Sequence, residues 1–366
     1  MQIRIEPVAD AGPVELPDPL GFGRVFTRHM YRRPYRTDRG WGDACIGPLR
    51  PITLEPAAQV LHSGQAIFEG TKAYLRPDGR LQLFRPEANA ERFNRSAERL
   101  AMPTLPVDEF VAPIEQLVAL DRDWAPRAAG ASLYIRPVMM ATEPTLEVRA
   151  GREFLHTIIL SPAGPYFASG FQPVAVRVEE HHVRAAPGGT GAAKTIGNYA
   201  ASLAATEAAR ADGYQQVLWL DAVERRFIEE AGAMNVAFVY GSRDIVTPAL
   251  SGSILPGITR DSVLRLAPDL GYRIREDRLD VDAVIADIDA GRISEVFSLG
   301  TAAVVVPIGR LGRHGCDVRV ADGRAGPVAA HLYQALTDIQ YGRVPDPYGW
   351  TRLVDVASIE RRPVAG

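Results

Sequence analysis

The chain has 366 residues, 46% of them apolar and 23% charged, with a formal net charge of −3. That suits a globular chain long enough for two domains and leaves no basic footprint for nucleic acid or an anionic membrane. Two cysteines are too few for a disulfide framework. The first residues lack a signal-peptide core, and no run approaches the ~18 apolar residues of a membrane span, so a cytoplasmic location is expected. The histidines show no metal-ligand spacing, and no metal is expected.

Residues 1–50 read as an irregular arm with short strands, including a strand over Gly21–Met30. A hairpin follows, Thr71–Leu75 and Leu81–Phe84 about a Pro-Asp-Gly turn at 77–79. Asn89–Met102 has helical spacing and stops at Pro103, residues 107–121 form a second helix, and Ser132–Met140 and Thr157–Leu160 are strands. Turn formers crowd 161–170, which suggests a domain over 1–165, a linker over 166–175 and a second domain over 176–366. In the second half the pattern predicts a strand over Val174–Val178 and a helix over Tyr199–Ala211 capped by Asn198. Strands over Tyr214–Leu220, Phe227–Val239 and Glu295–Val306, the last interrupted by Gly300, and a helix over Pro327–Tyr341 complete it. Without regular βαβ alternation, the fold class is α+β in two domains.

Of 41 basic residues only Lys72 and Lys194 are lysine. Arginine serves wherever a positive charge suffices, so a lysine is suspected of chemistry that needs a neutral amine. Lys72 reads as an end-of-strand surface residue. Lys194 lies behind the small residues Gly188–Ala192, where two chemistries compete. A P-loop needs glycine where Ala193 stands and a strand just before the loop, so the match is weak. A Schiff-base lysine for pyridoxal phosphate needs, besides itself, a ring-nitrogen carboxylate and a phosphate anchor.

Candidates for both exist. Glu229 and Glu230 interrupt an apolar strand, where a carboxylate must be paired or solvated; salted-over edge-strand residues are the plain alternative. Ile254–Arg260 places glycine and amides at a helix start, an anion site by geometry unless Thr259 merely caps it. Leu299–Ala303 is another tight turn with a hydroxyl. Arg92 could give a bidentate phosphate contact or an exposed salt bridge. Tyr134 and Arg136, two apart on one strand, share a face that suits a carboxylate.

Phe68-Glu-Gly70, Phe84-Arg-Pro86, Leu133-Tyr-Ile-Arg-Pro137, Pro187-Gly-Gly-Thr-Gly191, Lys194, Gly197-Asn-Tyr199, Glu230 with Met234-Asn235, Leu255–Arg260 and Gly300-Thr-Ala302 occur in this order. Together they resemble the branched-chain amino acid aminotransferases, class IV (fold type IV) pyridoxal-phosphate enzymes, from about Gly21 to Ile339. The resemblance implies two α/β domains, a smaller N-terminal and a larger C-terminal one, with pyridoxal 5'-phosphate between them, and a homodimer. Lys194 matches the Schiff-base lysine and proton carrier, Glu230 the ring-nitrogen partner and Tyr199 the phenol on the 3′ oxygen. Arg92, the amides of Ile258 and Thr259, and Thr301 match the phosphate cup. Tyr134 and the amides of Thr301 and Ala302 match the α-carboxylate site, and Arg136 the contact to glutamate's second carboxylate. Phe22, Phe68 and Tyr166 match pocket walls. The expected substrates are L-amino acids and 2-oxo acids such as 2-oxoglutarate, exchanged by ping-pong kinetics.

Two departures from the family pattern matter. Family members commonly carry tyrosine where Ser63 follows Leu61-His62, and the resemblance places that residue in the partner's pocket. Ala233 is also small, so a pocket for bulkier aromatic or β-substituted side chains is expected. Ala303 and Val306 stand where some animal members have a redox-active CxxC. The rival readings are a P-loop-like NTPase, relatives acting on D-amino acids or making aminobenzoate, and a non-catalytic cofactor carrier.

Overall fold

The structure is a computed structural model and describes all residues except 7, 9–11, 13, 165–170, 314 and 357–366. The chain forms two compact units. One contains the chain to Ala168, Lys194–Ile196 and the segment from Asp338; the other contains Ser169–Ala193 and Gly197–Thr337. Both mix helices with a sheet, the α+β class expected. The excursion of Lys194–Ile196 into the first unit is not visible in the sequence.

In the first unit ten strands among the described residues form one sheet. At its centre Ser132–Ala141 pairs antiparallel with Glu153–Ala163. His29–Arg36 flanks one side, and the predicted hairpin of Thr71–Leu75 and Leu81–Phe84 lies on the other. The strand expected from Gly21 begins only at His29. Gly21 and Gly23 both have positive φ, +66° and +68°, outside the extended region a strand needs.

The helix Pro86–Arg99 opens on proline, which loses no helical hydrogen bond there. Asn89, Arg92, Phe93, Ser96 and Ala97 are buried along one face. Phe93 and Ala97 pack with Phe110, Ile114 and Leu117 of the helix Val107–Leu120 against the sheet. His156 is fully buried in this core, stacked on Phe110 with centroids 6.0 Å apart. Neither ring nitrogen has a hydrogen-bond partner. Burial first, and then the Arg33 charge, pull its pKa down to about 3, so the ring is neutral.

In the second unit nine strands among the described residues form a sheet. Val174–Glu179 runs parallel to both Gln216–Leu220 and Val304–Arg313. Ala205 and Ala209, one turn apart on the helix Leu203–Ala211, pack on Val217 and Trp219. Three predicted elements are divided here. Phe227–Val239 breaks at Gly232 (φ +59°) into Ile228–Ala231 and Asn235–Tyr240. Glu295–Val306 is a hairpin, Ile293–Gly300 and Val304–Arg313, turned through Thr301–Ala303 with Val304 at φ +64°. The helix expected from Tyr199 is two pieces, Ile196–Ala200 and Leu203–Ala211.

Candidate active site

In the first unit Lys194 is fixed by its backbone. Its carbonyl accepts from Phe68 N–H at 3.0 Å, and its own N–H donates to Ser96 Oγ at 2.8 Å. Thr195 Oγ1 donates to the Ala66 carbonyl at 2.9 Å, so the three-residue excursion is stitched to the strand Ala66–Phe68. The Lys194 ammonium lies 4.9 Å from the Phe68 ring centroid.

Glu69, next along that segment, is fully buried. It accepts from Arg92 Nε at 2.8 Å and Arg92 Nη2 at 2.9 Å, and from Asn89 Nδ2 at 2.7 Å. Burial alone would raise the Glu69 carboxyl. The charges of Arg92 and then Lys194 outweigh it and hold the group below its ordinary value. Arg92 is therefore not an exposed salt-bridge residue. Its Nε–Nη2 fork is taken by the Glu69 carboxylate rather than turned to a ligand.

Phe22, Phe68, Tyr134 and Arg136 come together as the sequence suggested. Arg136 Nη2 donates to Tyr134 Oη at 3.0 Å, and its guanidinium sits 4.6 Å from the Phe68 centroid. Phe22 meets Tyr134 edge-on at 4.9 Å. Arg136 Nε is buried with no hydrogen-bond partner. Any side chain at Gly70 would collide with the Tyr134 hydroxyl. Ser63 is exposed at the end of the short helix Gln59–Ser63 and bonds within its own turn, to the Gln59 carbonyl. Tyr166 lies outside the described residues.

Lys72 corrects an expectation. It is only 6% exposed, in the strand Thr71–Leu75 opposite Tyr134, and burial pulls its pKa down to about 8. Thr71, Lys72, Ala73 and Tyr74 of this strand are all buried, so neither of its faces is open to solvent there.

In the second unit Arg184, Asn198, Tyr199, Glu230, Ala233 and Leu255 line one small cavity. Glu230, 2% exposed, forms a buried ion pair with Arg184 at 2.8 Å. It also accepts from the Leu255 N–H at 2.9 Å and from Asn235 Nδ2 at 3.3 Å. Its neighbour Glu229 points to the opposite face, as strand alternation requires; its Oε1 accepts from the hydroxyls of Ser251 and Ser253, while its Oε2 is buried without a hydrogen-bond partner. Ile228–Ala231 is the outer strand, as the plain alternative held, yet both carboxylates are buried.

Asn198 does not cap a helix. Its Nδ2 donates to the carbonyls of Thr190 and Ala193, and its Oδ1 accepts from Thr190 Oγ1, bracing the glycine-rich turn beside Tyr199. Thr259 is no cap either. The helix Ile258–Asp269 begins after Gly257, which is extended, has no side chain to cap with and abuts Asn235 Oδ1. The first-turn amides of Ile258 and Thr259 and the helix dipole make that end suited to an anion. Thr301 and Ala302 are half-buried in the hairpin turn.

Sequence reasoning missed Ser96 and Arg184, and it named Glu69 only within a motif and Asn198 only as a cap and within a motif, not in the bracing roles they have here. The only signal for Ser96 was its place one turn after Arg92, on the same helix face. Arg184 gave none.

The profile of the amino-transferase class IV family matches residues 66–311. The chain is 49% identical over 340 residues to branched-chain-amino-acid transaminase 1 of Bacillus subtilis (strain 168), covering 92% of this chain and 95% of that one. Among solved structures it resembles the branched-chain amino acid aminotransferase from Escherichia coli (26% identity, TM-score 0.72, 90% and 99% of the two chains). The branched-chain amino acid aminotransferase from Thermobaculum terrenum, in its PLP-form, matches with TM-score 0.73 at 25% identity over the same shares. The match to the class IV profile, the near-full-length identity and the shared two-unit fold agree: this chain is an aminotransferase and belongs to the branched-chain amino acid aminotransferase family.

Proposed function

We propose that the chain moves the amino group of an L-amino acid, branched-chain or with a bulkier aromatic or β-substituted side chain, to a 2-oxo acid such as 2-oxoglutarate. Pyridoxal 5'-phosphate would be held by Lys194, Arg92, Tyr199, Glu230, Ile258, Thr259 and Thr301. One observation carries the reading: a buried carboxylate, ion-paired and accepting two hydrogen bonds, shares a cavity wall with a phenol. A pyridine ring bearing a hydroxyl asks for that donor set, so the residues fit the cofactor. Bound there, the cofactor supplies an electron sink for charge developing at the substrate's α-carbon.

The chain's own residues do the rest. Lys194 Nζ would take the proton from the α-carbon and deliver it to the cofactor's C4′ carbon. Glu230 would keep the ring nitrogen protonated, and Arg184 keeps that carboxylate ionised by pairing with it. Arg92, the Ile258 and Thr259 amides and the Thr301 hydroxyl would take the phosphate. Tyr134 and the Thr301 and Ala302 amides would orient the α-carboxylate, with Arg136 Nε available for a second one. Phe22 and Phe68 would exclude water. Tyr166 is proposed as a further wall from the family pattern alone.

The small Ser63 and Ala233 favour room for larger side chains. We place Ser63 in the pocket of a second copy, which makes the working form a homodimer, in the cytoplasm. A panel of amino acids and 2-oxo acids, read by the first half-reaction, tests substrate choice. Activity with aromatic or β-methylated acids matching that with 2-oxoisocaproate supports the roomy pocket; preference for 2-oxoisocaproate over all of them rejects it.

A further inference from the structure

We infer that Ser96 is a positioning residue for Lys194, a buried hydroxyl that sets where the reactive amine stands by holding its main chain. The inference rests on the reading of Lys194 as the amine that carries the cofactor.

Ser96 is 0% exposed, on the helix that also presents Arg92. Its Oγ donates to the Arg92 carbonyl at 2.9 Å, one turn back. That bond fixes the hydroxyl's rotor and leaves a lone pair for the Lys194 N–H, which it accepts at 2.8 Å. The other main-chain group of Lys194 is taken by Phe68 N–H at 3.0 Å. Both polar atoms of one residue's main chain are thus held, one by a helix side chain and one by a strand. The α-carbon, the root of the lysine's flexible stem, is held between them.

Lys194–Ile196 is only three residues long within the first unit. An isolated bridge from Thr195 to Ile67 joins it to a strand, and no sheet ladder runs through Lys194. Side-chain and bridge bonds must supply what a regular element would, and Ser96 gives the one that acts on the N–H of Lys194. Removing the hydroxyl takes from the part-buried Lys194 N–H the acceptor it has in Ser96. That costs more than the bond itself is worth, so the segment must shift to recover a partner. The shift would move the amine without touching the phosphate or ring-nitrogen groups.

Two ligands separate these effects. Pyridoxal 5'-phosphate condenses its aldehyde with Lys194 Nζ, forming one C=N bond and releasing one water. Pyridoxamine 5'-phosphate has the same ring and phosphate but makes no bond to lysine. Both are to be titrated into the cofactor-stripped full chain as wild type, Ser96→Ala, Ser96→Thr and Arg92→Ala. Absorbance reports binding, and borohydride trapping reports the label at residue 194.

Ser96→Ala is expected to weaken pyridoxal 5'-phosphate attachment by about tenfold while pyridoxamine 5'-phosphate affinity stays within about twofold. Ser96→Thr keeps the hydroxyl and restores most of the loss. Arg92→Ala weakens both ligands alike. Unchanged attachment in Ser96→Ala, equal loss of both ligands there, or no rescue by threonine each overturns the inference. A wild-type label at a residue other than Lys194 overturns instead the reading beneath it, so the two failures are distinguishable.

Discussion

Glu230 and Arg184 show how strongly one buried pair constrains the site. Taking away one member strands a charge in a low-dielectric interior, at a cost of about 3–5 kcal/mol. Arg184→Met should therefore lower thermal stability markedly and abolish most amino transfer. Arg184→Met with Glu230→Gln should regain stability but not activity, because the carboxylate proposed to hold the ring nitrogen is then gone. Equal stability of the single and double variants, by calorimetry, would contradict the pairing. Gly70→Ala tests the carboxylate side: a methyl there displaces the Tyr134 hydroxyl, so KM for both substrates should rise several-fold. At this scale the sequence marked out the residues proposed to carry chemistry, such as Lys194, Glu230 and Tyr134. It was opaque for residues that only hold them, because Ser96 and Arg184 are common types at ordinary spacings and become informative only once the partner is in view.

Among the elements, the strand pair Glu153–Ala163 and His29–Arg36 with its two covering helices encloses His156. The folded pKa of about 3 lies below the ordinary 6.5, so between those values the unfolded chain binds a proton that the folded one excludes. The stability tied to the neutral ring is complete above about pH 6.5 and declines as pH falls toward 3, by on the order of 5 kcal/mol across the window. Denaturant unfolding of His156→Phe should show a shallower acid slope than wild type over that range; identical slopes would contradict a neutral buried imidazole. Helices and hairpins were legible here because periodicity and turn chemistry are local. Most breaks inside apolar runs were not: Gly21, Gly23 and Gly232 end or turn strands by positive φ without a local mark, whereas the turn at Leu299–Ala303 was legible from Gly300.

For the whole molecule, the two-unit α+β arrangement was foreseeable from the mixture of elements and the turn-rich stretch near 161–170. The path of the chain was not. Residues 194–196, and the chain from Asp338, join the first unit although the second unit's residues surround or precede them. Nothing local in Lys-Thr-Ile announces a change of unit; only the hydrogen bonds to Ala66, Phe68 and Ser96 reveal it. The lysine scarcity drew attention to Lys194, and the other lysine, Lys72, proved buried rather than superficial. Lys194→Ala should bind cofactor without covalent attachment and lose multiple-turnover transamination by several orders of magnitude, as expected when the proton carrier is removed. The most direct test of the central claim is borohydride reduction of the pyridoxal-phosphate-loaded protein followed by peptide mapping. The account predicts one reduced pyridoxyl label, on Lys194; a label on Lys72, or none on a yellow protein, would contradict it.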